Sequence, residues 1–373
     1  MDIIKNDILK LFDNDANINI SKIDNLNNNT SNIYTIKNND TNYICKIYDI
    51  DKIDTRKYMG DNEFYFYTKF IKYVKNIIKV PIFYGLVNNN NNEPYGLILE
   101  KLNFTKNIDT DIDTDIDTNI DTDIDTNIDT DINTNIDTDI DTNIDTNIDT
   151  DIDTNIDTDI DTDIDTIYNI IDHISKLHIF YWNKNIDNIL NYKNNSKFII
   201  NEKIKYDIRH YFYNIKNIFD DELYNIFNRL LNKNDECGLL NKNNENCKNK
   251  TLIHGSLKID NIIIVNDIPY FIDWSLYNSG YGVEDILFLI IFSLDHEKLL
   301  LNYENILNYY LIEINKFYKY SLNSLTEDII KSLEDFIANA IIGLCIKNHF
   351  AKIKNNKIDI YLKNFLFLLR QFS

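Results

Sequence analysis

The chain has 373 residues and a formal net charge of −21, with 59 acidic residues against 38 Lys and Arg. Such a charge argues against nucleic acid and anionic membrane surfaces as partners. Much of it comes from residues 107–166, where a tetrapeptide of Asn or Asp, Ile, Asp or Asn, and Thr is repeated fifteen times, with 22 aspartates and no Lys or Arg. The rest of the chain holds 37 acidic and 38 basic residues, a net charge of +1, and has room for one two-lobed domain or two small domains.

The cysteines and the N-terminus bear on the cell compartment. None of the four cysteines lies in a C-x-x-C pair, and the spacing of Cys237 and Cys247 fits no common metal site. The N-terminal MDIIKNDILKLF predicts a short amphipathic helix without a signal-peptide core, and no apolar run reaches the roughly 18 residues that a membrane span needs. We therefore expect a soluble, cytoplasmic protein in a reducing compartment.

Residues 1–102 predict a small β-rich lobe. Residues 17–50 alternate polar and apolar in three short runs and indicate three strands, and residues 61–75 have helical spacing. The segments VPIFYGLV and YGLILEKL add two strands, so we predict a five-stranded antiparallel sheet with one helix. Because the chain has only 8 Gly and 3 Pro, we expect asparagine to form the turns.

The repeat occupies the junction, residues 103–166. In an extended chain its Ile and Thr would share one face and its Asp and Asn the other. We interpret it as a disordered insertion; the alternative is an ordered or ion-binding array of stacked carboxylates, although the tract lacks the glycines of known Asp-rich binding loops.

Residues 167–373 predict a larger, mostly helical lobe. Two short strands, NIIIV and PYFIDW, flank an Asn-Asp turn. A β-rich lobe followed by a helical lobe is an α+β, bilobal arrangement. Helical periodicity is found in residues 167–182, 201–233, 297–320 and 325–371.

The stretch LIHGSLKIDNIII, residues 252–264, carries the clearest chemistry. A phosphoryl transferase must hold a triphosphate, neutralise it with a divalent metal and orient a hydroxyl. In this loop Asn261 is a candidate Mg²⁺ ligand, Lys258 a candidate phosphate contact and His254 a loop-supporting residue. Ser256 takes the place of the general base.

The β-rich lobe offers a lysine and a glutamate for the same task. Lys46, on the third predicted strand, could reach the phosphates of ATP, and Glu63, which opens the following helix, is best placed to pair with it. Each residue also has an ordinary explanation: an edge-strand lysine in water, and a first-turn glutamate favoured by the helix dipole.

Two further segments complete the predicted site. The extended segment 97–102, including Glu100 and Leu102, could offer backbone groups to an adenine, or it could be an ordinary edge strand. Asp273, at the end of an apolar strand, could chelate the metal together with Asn261; the alternative is a turn residue or helix N-cap.

These motifs, in this order, resemble the kinase-like superfamily of small-molecule phosphotransferases. The segments HGSLKIDN and FIDW…G…ED are similar to the loop and the metal-binding segment (residues 270–285) of aminoglycoside phosphotransferases, choline kinases and ecdysteroid-kinase-like proteins, whereas the D-F-G and A-P-E of protein kinases do not occur. NEFYFY and ISKLHIFYW resemble the ecdysteroid-kinase-like branch, and NNNTSNIYTI resembles the phosphate loop of the choline-kinase branch with asparagines in place of glycines. The resemblance implies a protein-kinase-like bilobal fold, ATP and Mg²⁺ as cofactors, and a small-molecule hydroxyl acceptor.

Ser256 departs from that family, in which an aspartate accepts the proton of the acceptor hydroxyl. Serine has no basic form near neutral pH, and general-base assistance is typically worth about 10²–10⁴ in rate. We therefore expect nucleotide binding to persist and turnover to fall. Asp260 is a candidate substitute, but we expect its side chain to point away from the acceptor.

Three hypotheses follow from the sequence. The first is an ATP-dependent phosphotransferase of reduced activity that acts on a small-molecule hydroxyl. The second is a pseudokinase that binds nucleotide or a protein partner without phosphoryl transfer. The third is an interaction or ion-binding protein organised by the acidic repeat.

Overall fold

The computed structural model describes residues 2–12, 18–23, 31–39, 41–48, 54–102, 162–186, 190, 248–337 and 356–372. The predicted helix 201–233, nearly all of the repeat, and Cys237 and Cys247 lie outside these residues.

The N-terminal lobe is the predicted five-stranded antiparallel sheet, with strand order β1-β2-β3-β5-β4. The helix α1 (Asp2–Lys10) precedes it. Strands β3 and β5 are central, which excludes the edge-strand explanations for Lys46 and for the segment 97–102. The strands are β1 (Asn19–Lys22), β2 (Ser31–Asn38), β3 (Thr41–Tyr48), β4 (Phe83–Asn88) and β5 (Pro94–Glu100).

Asparagine and aspartate form the left-handed turns, as the scarcity of glycine predicts. Both tolerate positive φ better than other non-glycine residues because their short polar side chains bond locally. All of the described non-glycine residues with positive φ are of these two types: Asn39, Asn92, Asn183, Asn249, Asn266, Asp267 and Asp273.

The helix predicted for residues 61–75 begins earlier and ends irregularly. Helix α2 (Asp54–Tyr65) continues into a π-helical turn (Phe66–Phe70) and a 3₁₀ turn (Ile71–Tyr73). The π-helical turn buries three aromatic side chains, Phe66, Tyr67 and Phe70. One of them, Phe66, stacks on Trp274 of the larger lobe at 4.3 Å between ring centroids.

The larger lobe is mostly helical, and its predicted helices are found with changed boundaries. The segment 297–320 ends as a helix at Asn315, whose side-chain amide oxygen accepts from the backbone N–H of Tyr320 (2.9 Å) and closes a turn. In the segment 325–371, which also shows helical periodicity, the described residues lie in two helices and a π-helical turn. The helices are α3 (Ile164–Tyr181), α4 (Gly282–Ser293), α5 (His296–Asn315), α6 (Leu322–Ser332) and α7 (Asn356–Phe372), with the π-helical turn at Leu333–Ile337.

Helix α4 was not predicted from the sequence. All twelve of its residues are buried, and it packs against α3, α5, α6 and α7. A helix that is enclosed on all sides has no polar face, so its sequence lacks the amphipathic period by which surface helices are recognised.

Two short strand pairs lie beside these helices. The predicted pair is present as β7 (Ile262–Val265) and β8 (Ile268–Phe271), joined through Asn266 and Asp267. A second pair, β6 (Lys250–Ile253) with β9 (Asn278–Tyr281), was not predicted.

The last tetrad of the repeat belongs to the folded part of the chain. Helix α3 begins at Ile164, three residues before the predicted start of the lobe, and the backbone N–H of the buried Thr162 donates to the carbonyl of Ser293 (3.3 Å). Thr162 therefore belongs to the folded part together with α3.

Among the described residues, no helix is both long enough and apolar enough to cross a membrane.

Candidate functional site

A buried lysine joins the two lobes. Lys46 on β3 is 8% exposed. Its ammonium lies 3.0 Å from Glu63 Oε2 on α2 and 2.9 Å from Asp273 Oδ1 in the larger lobe. The structure thus contains the ion pair expected between Lys46 and Glu63 and adds a second carboxylate. Glu63 lies in the last turn of α2, however, so the prediction that it opens the helix and the first-turn explanation are both wrong.

The electrostatics of this cluster keep Lys46 and Asp273 ionised. Burial would lower the pKa of Lys46, but Asp273 and Glu63 together raise it above its ordinary value. Burial would likewise raise the pKa of Asp273, but the Lys46 ammonium lowers it to about 2. For Glu63 burial prevails: its pKa is raised, and Lys46 only partly offsets the effect.

Glu63 has a second partner that sequence reasoning missed. The hydroxyl of the buried Tyr48 donates to Glu63 Oε2, the same oxygen that faces Lys46. Glu63 Oε1 is buried and has no hydrogen-bond partner among the described residues. Tyr48 lies two residues after Lys46 and so points to the same face of β3, which is the signal that the sequence offered.

The loop that contains Ser256 is held by its backbone. Gly255 has φ 79°, and a Cβ at this position would lie 2.1 Å from the carbonyl oxygen of Leu276, so only glycine fits. The backbone N–H groups of His254 and Gly255 donate to the buried carboxylate of Asp285 (2.7 and 2.9 Å). Asp285 lies in helix α4, which was not predicted. The only signal for it in the sequence was the Glu-Asp pair that ends the segment FIDW…G…ED.

Both nitrogens of the His254 ring form hydrogen bonds with the backbone. Its Nε2 lies 2.9 Å from the carbonyl oxygen of Ile272, and its Nδ1 lies 3.3 Å from the backbone N–H of Ser256. A neutral ring with the proton on Nε2 satisfies both contacts. Burial also lowers the pKa of His254, which favours that neutral ring.

Ser256 and Asn261 are in direct contact. The Asn261 side-chain Nδ2 donates to the carbonyl oxygen of Ser256 (2.7 Å) and to its Oγ (3.1 Å). The backbone N–H of Ile272 donates to the carbonyl of Asn261 (3.0 Å), which brings Asp273 beside it. The structure therefore gathers Ser256, Asn261, Asp273 and Lys46 at one junction.

Lys258 lies on the surface of this junction. Its ammonium pairs with Asp260 at 3.0 Å, and the Asp260 side chain is 64% exposed. Asp260 thus faces solvent, and the expectation that it does not replace the missing base stays a prediction. The role of Lys258 as a phosphate contact stays a prediction.

Some backbone N–H groups of the segment 97–102, which was predicted to contact adenine, are already used within the protein. The backbone N–H of Glu100 donates to Ile82 (2.8 Å) and that of Lys101 donates to Asn42 (3.3 Å). The Glu100 carboxylate accepts from the backbone N–H of Ile82 (3.2 Å). Any adenine contact of this segment would therefore be made through Leu102 or through carbonyl groups.

The donor set suits a magnesium nucleotide. Asn261 uses its amide nitrogen on Ser256, which leaves its oxygen for a cation, and Asp273 supplies an ionised carboxylate. Mg²⁺ prefers such oxygen ligands and usually keeps water and phosphate oxygens as the remainder. The described residues contain no group of three or more His, Cys, Asp or Glu that could hold a metal ion.

No family model matches the sequence, and no curated protein matches it. Solved structures do match the fold. A microcompartment-associated aminopropanol kinase aligns with 99% of this chain and 96% of its own at TM-score 0.54 and 10% identity. A thermostable mutant of the aminoglycoside phosphotransferase APH(4)-Ia aligns over 98% of each chain at TM-score 0.51 and 8% identity. An ethanolamine kinase of Plasmodium vivax aligns over 99% and 89% at TM-score 0.47 and 12% identity.

At these identities the likeness concerns the fold. The chain has the bilobal, kinase-like α+β fold of small-molecule phosphotransferases, with a five-stranded antiparallel sheet and a larger helical part. This confirms the fold class that the sequence motifs predict.

Proposed function

We propose that the protein is an ATP-dependent phosphotransferase-like protein that acts on the hydroxyl of a small molecule, with activity reduced by serine at the base position. The observation that carries the proposal is the Lys46 ammonium, held between Glu63 and Asp273 at the junction of the lobes.

The arrangement supports nucleotide binding for an electrostatic reason. Bound Mg·ATP would supply the transferable phosphoryl group and the metal that neutralises its charge. Lys46 offers a fixed, buried ammonium to the phosphates, and Asn261 and Asp273 offer oxygen ligands to the metal. In such a reaction positioning and charge neutralisation are the main contributions of the protein.

The part of the site that would bind the acceptor hydroxyl lacks a group that can accept its proton. Ser256 Oγ receives a hydrogen bond from Asn261, so the serine can orient an incoming hydroxyl as a hydrogen-bond partner but cannot take its proton. We therefore propose slow transfer, with the hydroxyl proton passing to solvent or to the phosphoryl oxygens.

A thermal-shift titration with ATP, with and without Mg²⁺, tests the nucleotide site. Binding to the native state raises the unfolding midpoint by mass action, by an amount equivalent to about 2.7 kcal/mol at a hundredfold excess over Kd. A midpoint that does not move at millimolar Mg·ATP would remove the basis of the proposal. Labelled ATP with a panel of hydroxylated metabolites then tests transfer.

A pseudokinase is the second candidate, and Ser256 is the observation that favours it. In that case the protein binds nucleotide, or a protein partner, without transferring phosphate. ATP binding without transfer to any acceptor supports this candidate over the first.

A further inference from the structure

A groove on the surface of the protein lies away from the Lys46 site. It has a volume of about 580 Å³ and is formed by the 3₁₀ segment that follows α2, the C-terminal half of α3 and the segment that follows α5. Three aromatic side chains on its walls are unusually exposed for their type: Phe317 at 67%, Phe180 at 48% and Tyr73 at 43%. Clustered apolar surface of this kind marks a binding surface more often than isolated exposed residues do.

The charged residues that line the groove are all basic. Lys72 and Lys176 line it, and Lys184 places its ammonium 3.8 Å from the ring centroid of Phe180. No Asp or Glu is among the lining residues. Among the described residues, neither Lys72 nor Lys176 forms an ion pair with a carboxylate. The groove therefore fits an occupant that is both apolar and acidic.

The repeat has that chemistry. Each tetrad carries an isoleucine and one or two aspartates, and the tract contains no Lys or Arg. In an extended chain the isoleucines lie on one face and the acidic residues on the other. The isoleucines could then contact the aromatic walls while the aspartates face the lysines at the rim.

The repeat is also attached in the right place. It runs into α3 at Ile164, and Lys176 lies twelve residues along the same helix, about 18 Å away at 1.5 Å per residue. Roughly six extended residues cover that distance, fewer than two tetrads. Tethering raises the effective concentration of the tract at the groove, so contacts that are weak individually can still hold it.

We infer that the groove around Phe180 binds the chain's own acidic repeat, through isoleucine contacts with the aromatic walls and aspartate contacts with Lys72 and Lys176. This inference is independent of the proposed phosphotransferase function, because none of these residues belongs to the Lys46 site. It assigns to the repeat a binding partner within the same chain.

Zero-length carbodiimide crosslinking of the full-length protein, followed by peptide mass spectrometry, tests the inference. We expect isopeptide bonds from Lys72 and Lys176 to aspartates of residues 107–161, several-fold more abundant than those from Lys37. Lys37 is a stringent control, because it is exposed and pairs across the sheet with Asn42, which bonds Lys101 next to the start of the tract. Lys37 thus lies near the start of the tract in space, so nearness to the tract alone would crosslink Lys37 as well.

Two further measurements bear on the result. Mixing isotopically labelled and unlabelled protein distinguishes crosslinks within a chain, which we expect, from crosslinks between chains, which would contradict the inference.

The double variant Phe180→Ser with Phe317→Ser should reduce the Lys176 crosslinks several-fold, whereas Leu301→Ser, at a residue 78% exposed on α5, should not. Crosslinks spread evenly over all exposed lysines, or unchanged in the double variant, would overturn it.

Discussion

Lys46 and Lys258 are both lysines that the sequence assigns to a phosphate, yet the protein holds them very differently. Lys46 is buried and contacts two carboxylates that come from separate elements, at 2.9 and 3.0 Å. Lys258 is at the surface and pairs with Asp260, two residues further along the same loop. The first ammonium is placed by the tertiary structure, and the second only by its own loop.

The same contrast separates the two halves of the site. On the proposed nucleotide side Lys46 and Glu63 are buried, Asp273 lies partly buried beside Lys46, and the Tyr48 hydroxyl supports Glu63. On the proposed acceptor side Ser256 has no charge, and Lys258 is partly exposed. Under the proposed function, this arrangement favours nucleotide binding over phosphoryl transfer. The predictions below test that contrast, beginning with the largest effect.

Replacing Lys46 should have the largest effect. Lys46→Met leaves Glu63 and Asp273 without their counter-charge, and breaking a buried pair in this way typically costs about 3–5 kcal/mol. The free energy of unfolding measured in urea should fall by about that amount, and the ATP-induced thermal shift should disappear. Lys37→Met, at an exposed position on β2, should change neither measurement. A stable Lys46→Met variant that still binds ATP would refute the assignment of the nucleotide side.

Restoring the base should increase transfer. General-base assistance is worth about 10²–10⁴ in rate, so Ser256→Asp should raise phosphoryl transfer at least a hundredfold if only the base is missing. The measurement is transfer from labelled ATP to a panel of hydroxylated metabolites, with ATP binding monitored alongside. Equal, measurable rates for both proteins would contradict the pseudokinase candidate and show that Ser256 does not limit the reaction.

Acidification should weaken the Ser256 loop through His254. Burial lowers the pKa of this histidine in the folded state, so the unfolded chain binds the proton more readily. The neutral ring therefore stabilises fully above the unfolded pKa of about 6.5, and this stabilisation is lost as the pH falls below that value. Protonation at Nδ1 also breaks the contact with the backbone N–H of Ser256.

The variant His254→Gln isolates this contribution. Its free energy of unfolding should depend less on pH between about 7 and 5.5 than that of the wild type. Parallel curves for the wild type and His254→Gln would show that His254 is not responsible.

Removing the Tyr48 hydroxyl should have a moderate effect. Tyr48→Phe deletes one of the two donors to Glu63 Oε2, and an unmatched buried acceptor costs about 1–3 kcal/mol. Because Lys46 remains, we expect the free energy of unfolding measured by chemical denaturation to fall by an amount near the lower end of that range. ATP binding should weaken a few-fold. Tyr43→Phe on the same strand is the matched control. Unaltered ATP affinity in Tyr48→Phe would limit Tyr48 to a structural role.

Deleting the repeat should have the smallest effect on the nucleotide site. The deletion should cover residues 107–161, because Thr162 and the first turn of α3 belong to the folded part. We expect the ATP-induced shift to stay at its wild-type value, since none of the residues of the Lys46 site lies in the tract. Loss of ATP binding on deletion would instead favour the hypothesis of a protein organised by its repeat.

Sequence patterns predicted most of the described fold, and their failures have a common cause. Period-two alternation located the five strands of the sheet, and Asn-rich breaks marked the turns. Helix α4 was missed because it is buried on every side. The β6–β9 pair was missed because its strands are far apart in the sequence, whereas β7 and β8 are joined by the turn at Asn266 and Asp267. Both are elements whose character depends on neighbours that are distant in the sequence.

The site divides in the same way. The sequence alone determined which residue types were available: a lysine on a strand, a glutamate on the next helix, an Asn and an Asp twelve residues apart, and a serine in place of a base. Local pattern is sufficient for this, because residue chemistry and short-range spacing need no partner.

Only the tertiary structure decided which of those charges are buried together. Lys46 meets Asp273 across 227 positions of sequence, and Tyr48 and Asp285 acquire their roles from groups that the chain brings to them on folding. The physical reason is that burial sets the strength of a charge interaction, and burial is a property of the packed chain as a whole.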